Sequence, residues 1–286
     1  HCVTRRQRQM CIRDRSKVSA IQLNSGPNIK VNLYDVKTYV EQISDTDSKM
    51  VVLPENFALM PENDNDYIKN SEKLDDGPIQ NNISKLASAY KIWIVAGTIP
   101  IKSDDKERVM ACTITYNHKG ERVSLYNKIH LFDVTLPKSR ESYNESKYFM
   151  PGDFIEVIDT PIGRAGIACC YDLRFPELFR LQQEKKIEVI ILPASFTEQT
   201  GKVHWETLVK ARAIENLSYV VTSCQGGYHI NGKKTYGHTM IVSPWGKTLE
   251  TLEKGKGFVS SEIDLVQLKS IRENFPVLDH MKLIKK

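Results

Sequence analysis

Arg164-Ala-Gly-Ile-Ala-Cys-Cys-Tyr-Asp-Leu-Arg-Phe-Pro-Glu-Leu178 combines a strand, a corner and a helix start in fifteen residues. Ala165 to Cys169 is a small, apolar, strand-like run. Phe175-Pro176-Glu177 opens a helix, with proline and an acid in the first turn. Cys170 falls at the corner between the two. A strand-to-helix corner lifts a side chain out of the sheet and aims backbone N–H groups at whatever that side chain attacks. A thiol so placed is expected to have a lowered pKa and a ready oxyanion site. The competing reading makes Cys169 and Cys170 small buried hydrophobes, the common fate of free cysteine.

Outward from this corner, strands and helices alternate. Lys17-Val-Ser-Ala-Ile-Gln-Leu23 reads as a first strand, closed by the turn residues Asn24 to Pro27. Ile29 to Ile43 has helical spacing, with Leu33, Val36, Val40 and Ile43 on one face. Met50 to Leu53 is a buried strand, residues 61–78 a polar surface loop, Ile79 to Tyr90 a helix and Lys91 to Ala96 a strand. Two strands near 109–116 and 121–126 are joined by the turn Asn117-His-Lys-Gly120. The segment 127–152 is a long polar loop, and loops of that length inside a compact domain usually carry function. Strands follow at Ile155–Ile158, Ile187–Leu192, Tyr219–Ser223, Thr239–Val242 and Gly257–Ile263, with helices at Lys202–Leu217 and Leu265–Glu273. Two mixed halves of this kind predict an α/β fold of two sheets packed face to face with helices outside. No linker divides residues 17–286, which are read as one domain.

Composition narrows the class. The chain has 286 residues, 41% hydrophobic and 26% charged, the profile of a globular protein. No apolar run approaches the ~18 residues that span a bilayer. The charged N-terminus is not followed by the apolar core of a signal peptide. Six cysteines without CxxC spacing read as reduced thiols, which predicts a cytoplasmic protein. No HExxH or paired CxxC suggests a metal, and no cofactor is expected. Residues 1–16 lack periodicity and read as an extension foreign to the fold. The first fifteen residues hold five Arg and one Asp, and so supply +4 of the formal +5 net charge. The remainder is near neutral, so neither nucleic acid nor a membrane surface is an expected partner.

Three side chains then stand out together. Glu55 ends the run Met50-Val-Val-Leu-Pro-Glu, where a partly desolvated carboxylate suits a general base near neutral pH. Lys128 follows a strand and sits among apolar and aromatic neighbours, so its ammonium could face a thiolate or an oxyanion. Cys170 is the third. The plainer readings are a turn glutamate, a snorkelling lysine and a buried thiol. All three follow strands, and parallel strands would bring them to one sheet end, where open α/β layers place their sites.

The segments Leu-Pro-Glu55-Asn-Phe, Tyr-Asn-Lys128-Ile-His-Leu-Phe and Cys-Cys170-Tyr-Asp-Leu-Arg-Phe-Pro-Glu resemble the catalytic motifs of the nitrilase superfamily of carbon–nitrogen hydrolases. The likeness runs from about Lys17 to about Lys282. It takes in Glu145-Ser146, Pro151-Gly152, Ala211-Arg-Ala-Ile-Glu215, Tyr236-Gly-His-Thr-Met240 and Pro244-Trp-Gly246. The resemblance implies a four-layer α-β-β-α sandwich and a Glu55–Lys128–Cys170 triad. It also implies Glu145 as a second active-site glutamate near Lys128, and a homodimer. Within the superfamily, Gln225-Gly-Gly-Tyr-His-Ile-Asn-Gly-Lys-Lys-Thr-Tyr-Gly-His238 is most similar to the branch of amidases for deaminated glutathione, with ω-amidases acting on 2-oxoglutaramate as the alternative. A nitrilase, a carbamoyl hydrolase and a scaffold without catalysis remain further alternatives.

The chemistry so implied is hydrolysis of a small-molecule amide through a cysteine thioester. The backbone N–H of Tyr171 would join Lys128 in holding the oxyanion. Candidate substrate contacts are Arg174, His229 and Lys233, with Lys138, Arg140 and Lys234 as further cations near the rim. His130, His204 and His238 could serve a Cys–His site instead. Asp172 and Arg174 are expected to fix the corner, Arg212 and Glu215 to form a structural ion pair, Trp205 and Trp245 to be core, and Cys112 and Cys224 to be inert.

Overall fold

The computed structural model describes residues 15–137 and 141–283. Two large sheets hold most of the strands. The first runs, in spatial order, Gly257–Asp264, Arg15–Gln22, Ser48–Val52, Trp93–Lys102, Val109–Tyr116 and Arg122–Asn127, with Phe149–Met150 added beside Val109–Tyr116. The second runs Thr248–Leu252, Thr239–Val242, Tyr219–Cys224, Val189–Ala194, Gly163–Ile167 and Glu156–Thr160. Each sheet has a parallel trio of strands flanked by antiparallel ones.

Period-2 alternation explains why the layers stack. Val18, Ala20, Met50, Val52 and Val95 point one way and share a core with Ile167, Val189, Ile191 and Val221 of the second sheet. Ile21, Val51, Leu53 and Ile94 point the other way, onto the helices Ile29–Ser44 and Pro78–Tyr90. Pro176–Glu184 and Glu198–Asn216 cover the outer face of the second sheet through Phe179, Trp205 and Val209. The result is the α-β-β-α sandwich.

Caps set the helix starts. Asn28 Oδ1 accepts from the N–H of Lys30 and Val31 at 3.0 and 3.3 Å. Buried Glu72 does the same from a distance for Pro78–Tyr90, accepting from Ile79 N at 2.6 Å and Gln80 N at 3.1 Å.

The structure corrects several boundaries. The first strand starts at Arg15, so Arg15 and Ser16 belong to the sheet, paired with Asp264 and Ile263; residues 1–14 lie outside the described residues. An Arg15–Asp264 ion pair of 2.8 Å closes that strand end. The 61–78 segment contains a one-turn helix, Asp66–Lys69. The 127–152 segment contains a small hairpin, Asp133–Thr135 with Ser142–Asn144, and the 3-10 turn Glu145–Lys147. Glu198–Asn216 begins four residues early because Thr197 caps it, accepting from Thr200 N at 3.3 Å. Trp205 is fully buried, but Trp245 is 62% exposed, on a surface turn against Phe275.

Candidate active site

Each of the three strand-end residues is held by backbone contacts. Ser48–Val52 passes through Leu53 and Pro54 to Glu55. The neighbouring strand Trp93–Lys102 approaches so closely at Gly97 that a Cβ there would lie 1.8 Å from the Pro54 carbonyl oxygen. The register breaks at this point, and Thr98 Oγ1 accepts from Asn56 N at 2.9 Å. Lys128 leaves Arg122–Asn127 with its N–H on Ala111 O at 3.0 Å and its C=O accepting from Gly152 N at 2.8 Å. Arg122–Asn127 runs the same way as Trp93–Lys102, because two successive antiparallel pairings separate them. Glu55 and Lys128 therefore meet at the carboxyl end of the first sheet. Cys170 follows Gly163–Ile167 at the matching end of the second sheet. It adopts φ +49°, a left-handed conformation that a non-glycine side chain rarely takes. A 3-10 turn, Cys170–Arg174, separates it from the helix that starts at Pro176.

The side chains converge on one cavity. Lys128 Nζ lies 2.9 Å from Glu55 Oε1 and 2.8 Å from both carboxylate oxygens of Glu145. The N–H of Phe132 donates to Glu145 Oε2 at 2.6 Å, so the long loop is folded back by its own glutamate. Lys128 is 2% exposed, Glu55 4% and Cys170 8%. Burial alone would lower the Lys128 ammonium, but Glu145 and Glu55 outweigh it and hold the ammonium well above its ordinary range. Burial raises the Glu145 carboxyl, with Lys128 opposing and the Glu55 charge reinforcing the shift. The Cys170 thiol is pushed well up, first by burial and then by the Glu55 charge, against the pull of Lys128. This reverses the lowered thiol pKa expected from a helix start. The α-helix begins six residues later, and burial and the Glu55 charge outweigh Lys128 and the Ser195 N–H, which pull the other way. Both effects favour the protonated thiol at Cys170.

Asp172 locks the two halves of the site together. Its carboxylate is fully buried and accepts from Tyr126 Oη at 2.6 Å, Cys169 N at 2.8 Å, and His130 through N at 3.1 Å and Nδ1 at 2.7 Å. Tyr126 and His130 flank Lys128, whereas Cys169 adjoins the nucleophile candidate. The expected corner-fixing role of Asp172 thus extends to the lysine segment. His130 also stacks on Phe175 with centroids 3.7 Å apart. His204 contacts Arg174, and His238 stacks on Tyr236. None of these three histidines lines the cavity, which leaves the Cys–His alternative without a base.

A sequence profile of the family described as carbon-nitrogen hydrolase matches residues 17–273. The chain belongs to the carbon-nitrogen hydrolase family. It is 36% identical over 270 residues to a deaminated glutathione amidase of Yersinia enterocolitica, covering 94% of each chain. A rat (Rattus norvegicus) deaminated glutathione amidase is 35% identical over 269 residues, 93% of this chain and 82% of that one. Among solved structures, Nit3 of Saccharomyces cerevisiae, described as a member of branch 10 of the nitrilase superfamily, superposes with a TM-score of 0.84 at 30% identity. It covers 96% of this chain and 97% of its own. The C. elegans NitFhit protein gives 0.87 at 33% identity, over 94% of this chain and 65% of that one.

In this carbon-nitrogen hydrolase, Tyr171, Arg174, Lys233 and Lys234 line the cavity with the Glu–Lys–Cys cluster. Arg174 lies over the rings of Tyr171 and Phe196. Lys233 lies over Tyr143, with Asp64 at 3.4 Å. His229, expected to touch substrate, does not line the cavity. It is 2% exposed behind Thr235, with Nδ1 on Ser25 O and Nε2 on Thr235 Oγ1. Lys138 and Arg140 lie outside the described residues. Arg212 and Glu215 form the expected ion pair at 2.8 Å, and Cys112 and Cys224 are buried thiols pushed up to about 12.

Two contributors escape sequence reasoning. Ser195 donates its backbone N–H to Cys170 Sγ at 3.5 Å, and a backbone donor has no side-chain signature. Gln225 donates to the Glu55 carbonyl at 3.0 Å across 170 residues of chain. Among the described residues, no group of three or more His, Cys, Asp and Glu could hold a metal ion, and no helix is long and apolar enough to cross a membrane.

Proposed function

We propose that this chain is a thiol amidase that hydrolyses deaminated glutathione, with Glu55, Lys128 and Cys170 as its triad. The observation that carries the chemistry is the buried Lys128 ammonium between Glu55 and Glu145, against the Cys170 corner. Cys170 Sγ bonds to the amide carbon while Glu55 takes the thiol proton. Lys128 and the N–H of Tyr171 stabilise the oxyanion, each such donor being worth about 3–4 kcal/mol in the transition state. Glu55 passes its proton to the departing amine as the C–N bond breaks, and a thioester remains. Glu55 then deprotonates water, which adds to the thioester; the carboxylic acid leaves and the thiol is restored. Glu145 holds Lys128 in place and offsets its charge.

The substrate follows from the relatives and from the pocket's cations. Cleavage would release 2-oxoglutarate and cysteinylglycine. The substrate carries a carboxylate at each end, and Arg174 and Lys233 are the candidate partners. We also propose a homodimer through the helices Pro176–Glu184 and Glu198–Asn216, which leave Leu181, Val203 and Ile214 exposed. A cytoplasmic location accords with the free thiols of Cys112, Cys169, Cys170 and Cys224. The substrate is tested by kcat/KM for deaminated glutathione against 2-oxoglutaramate on one preparation. A preference for deaminated glutathione is expected; a preference of about tenfold or more for 2-oxoglutaramate, ~1.4 kcal/mol, would make the enzyme an ω-amidase.

A further inference from the structure

We propose that His229 is a positioning residue that sets the pocket's affinity for anionic substrates by holding the hairpin that carries Lys233 and Lys234. The hairpin comprises Gly226–Tyr228 and Lys234–Tyr236, and it is a two-stranded ribbon apart from both large sheets. Such a ribbon is marginal by itself. Its order has to come from outside contacts.

His229 supplies a buried one. It sits in the turn, where its N–H bonds to Lys233 O at 2.9 Å. Its ring bridges the hairpin to the loop after the first strand. The Ser25 carbonyl can only accept, so Nδ1 carries the hydrogen toward it at 2.9 Å. Nε2 is then the acceptor for the Thr235 hydroxyl at 2.8 Å. Both polar atoms of a neutral imidazole are thereby satisfied, as a buried ring requires. Burial pushes His229 below its ordinary pKa and favours that neutral form.

The bridge reaches the catalytic cluster. Ser25 N donates to Gln225 Oε1 at 3.0 Å, and Gln225 Nε2 donates to Glu55 O at 3.0 Å. Thr235, Lys233 and Lys234 line the cavity that Glu55 lines. Among the described residues no carboxylate pairs with Lys234, and Lys233 has only Asp64 at 3.4 Å. A carboxylated ligand would therefore find two cations on an arm whose turn is braced by the buried His229 ring. Other ties hold the two ends of the arm, Gly226 N donating to Leu23 O at 2.8 Å and Tyr236 N to Phe196 O at 2.9 Å, and two more act near the turn, Asn231 Nδ2 on Pro61 O at 2.8 Å and Asn24 Nδ2 on Tyr228 O at 3.3 Å.

This inference rests on the proposed amidase reading, so the test separates the two. Iodoacetamide labelling of Cys170 is followed with increasing suberate, a long dicarboxylate, in the wild type, His229→Ala and His229→Gln. Suberate should protect the wild type, and half-protection should need about tenfold more in His229→Ala, with the unprotected labelling rate kept within about twofold. Glutamine can donate to Ser25 and accept from Thr235, so His229→Gln should restore most of the protection. Equal protection in wild type and His229→Ala would overturn the proposal, as would a wild type that suberate does not protect. Thr235→Val, which removes only the hydroxyl bond, replaces His229→Ala if that variant does not fold. Hydrogen exchange across residues 226–236 gives an independent reading: it should quicken in His229→Ala, and unchanged protection there would refute the proposal. A wild-type Cys170 that iodoacetamide leaves untouched would refute the triad instead, and hydrogen exchange alone would then judge the hairpin.

Discussion

Lys128 is the residue on which the site's electrostatics turn. One ammonium faces the buried Glu55 carboxylate and the partly buried Glu145 carboxylate, so removing it leaves negative charges without compensation in a desolvated space. Lys128→Met should abolish turnover and cost about 3–5 kcal/mol of stability, seen as a lower urea midpoint with an unchanged slope. His229 gives a pH signature. Its folded pKa lies below the unfolded value of about 6.5, so its neutral form stabilises the fold fully above that pH. That contribution is lost as pH falls from about 6.5 toward the lowered folded value. Unfolding free energy of the wild type should therefore decline over this range relative to His229→Gln; parallel curves would show that the ring titrates normally. At this scale the sequence was half legible. Glu55, Lys128 and Cys170 each announce themselves as a polar residue directly after a buried strand. The direction of the Cys170 shift does not, because it depends on burial and on an acid that arrives from 115 positions earlier, which local sequence cannot display. His229 misleads for the same reason: a histidine among lysines in a glycine-rich loop looks like a ligand, and only the Ser25 carbonyl shows it to be a brace.

Elements explain why those residues meet. The strand end that carries Glu55 packs tightly because Gly97 lets Trp93–Lys102 press against Pro54. Gly97→Ala would drive a Cβ into a backbone carbonyl, which no rotamer change relieves. It should lower stability by about 1–3 kcal/mol and reduce kcat more than it raises KM, because Glu55 shifts with Pro54. A variant with wild-type kcat would show that the close approach does not position Glu55. The long strands and helices were readable from period 2 and period 3.6. Thr239–Val242 was expected with its observed bounds. The short ribbons in 127–152 and 226–236 were not readable. Three-residue strands show almost no alternation, and long-range contacts such as Glu145 on Phe132 N and His229 on Ser25 O, which tie them to the rest of the fold, leave no local signal. Aromatic bulk suggests a core position for Trp245, but the turn around Pro244 and Gly246 carries it to the surface.

Across the whole molecule, the two sheets repeat one plan, a parallel trio with antiparallel flanks, although no sequence repeat reveals it. Glu55 and Lys128 come from one sheet and Cys170 from the other, so the site exists only when the sandwich is closed. The proposed dimer would cover the exposed apolar side chains of the outer helices. Light scattering at micromolar concentration should give twice the chain mass, and Ile214→Glu should shift it toward a monomer; a wild-type monomer would contradict the dimer. The central claim is that Cys170, not its neighbour, attacks the substrate. Cys169 also comes within 3.5 Å of Glu55, but it is fully buried and does not line the cavity. The most direct measurement is amine release by Cys170→Ala and Cys169→Ala, each verified as folded. Cys170→Ala should lose at least about a thousandfold in kcat/KM, and Cys169→Ala no more than about tenfold. Turnover by Cys170→Ala near the wild-type rate, or an equal loss in both variants, would contradict it.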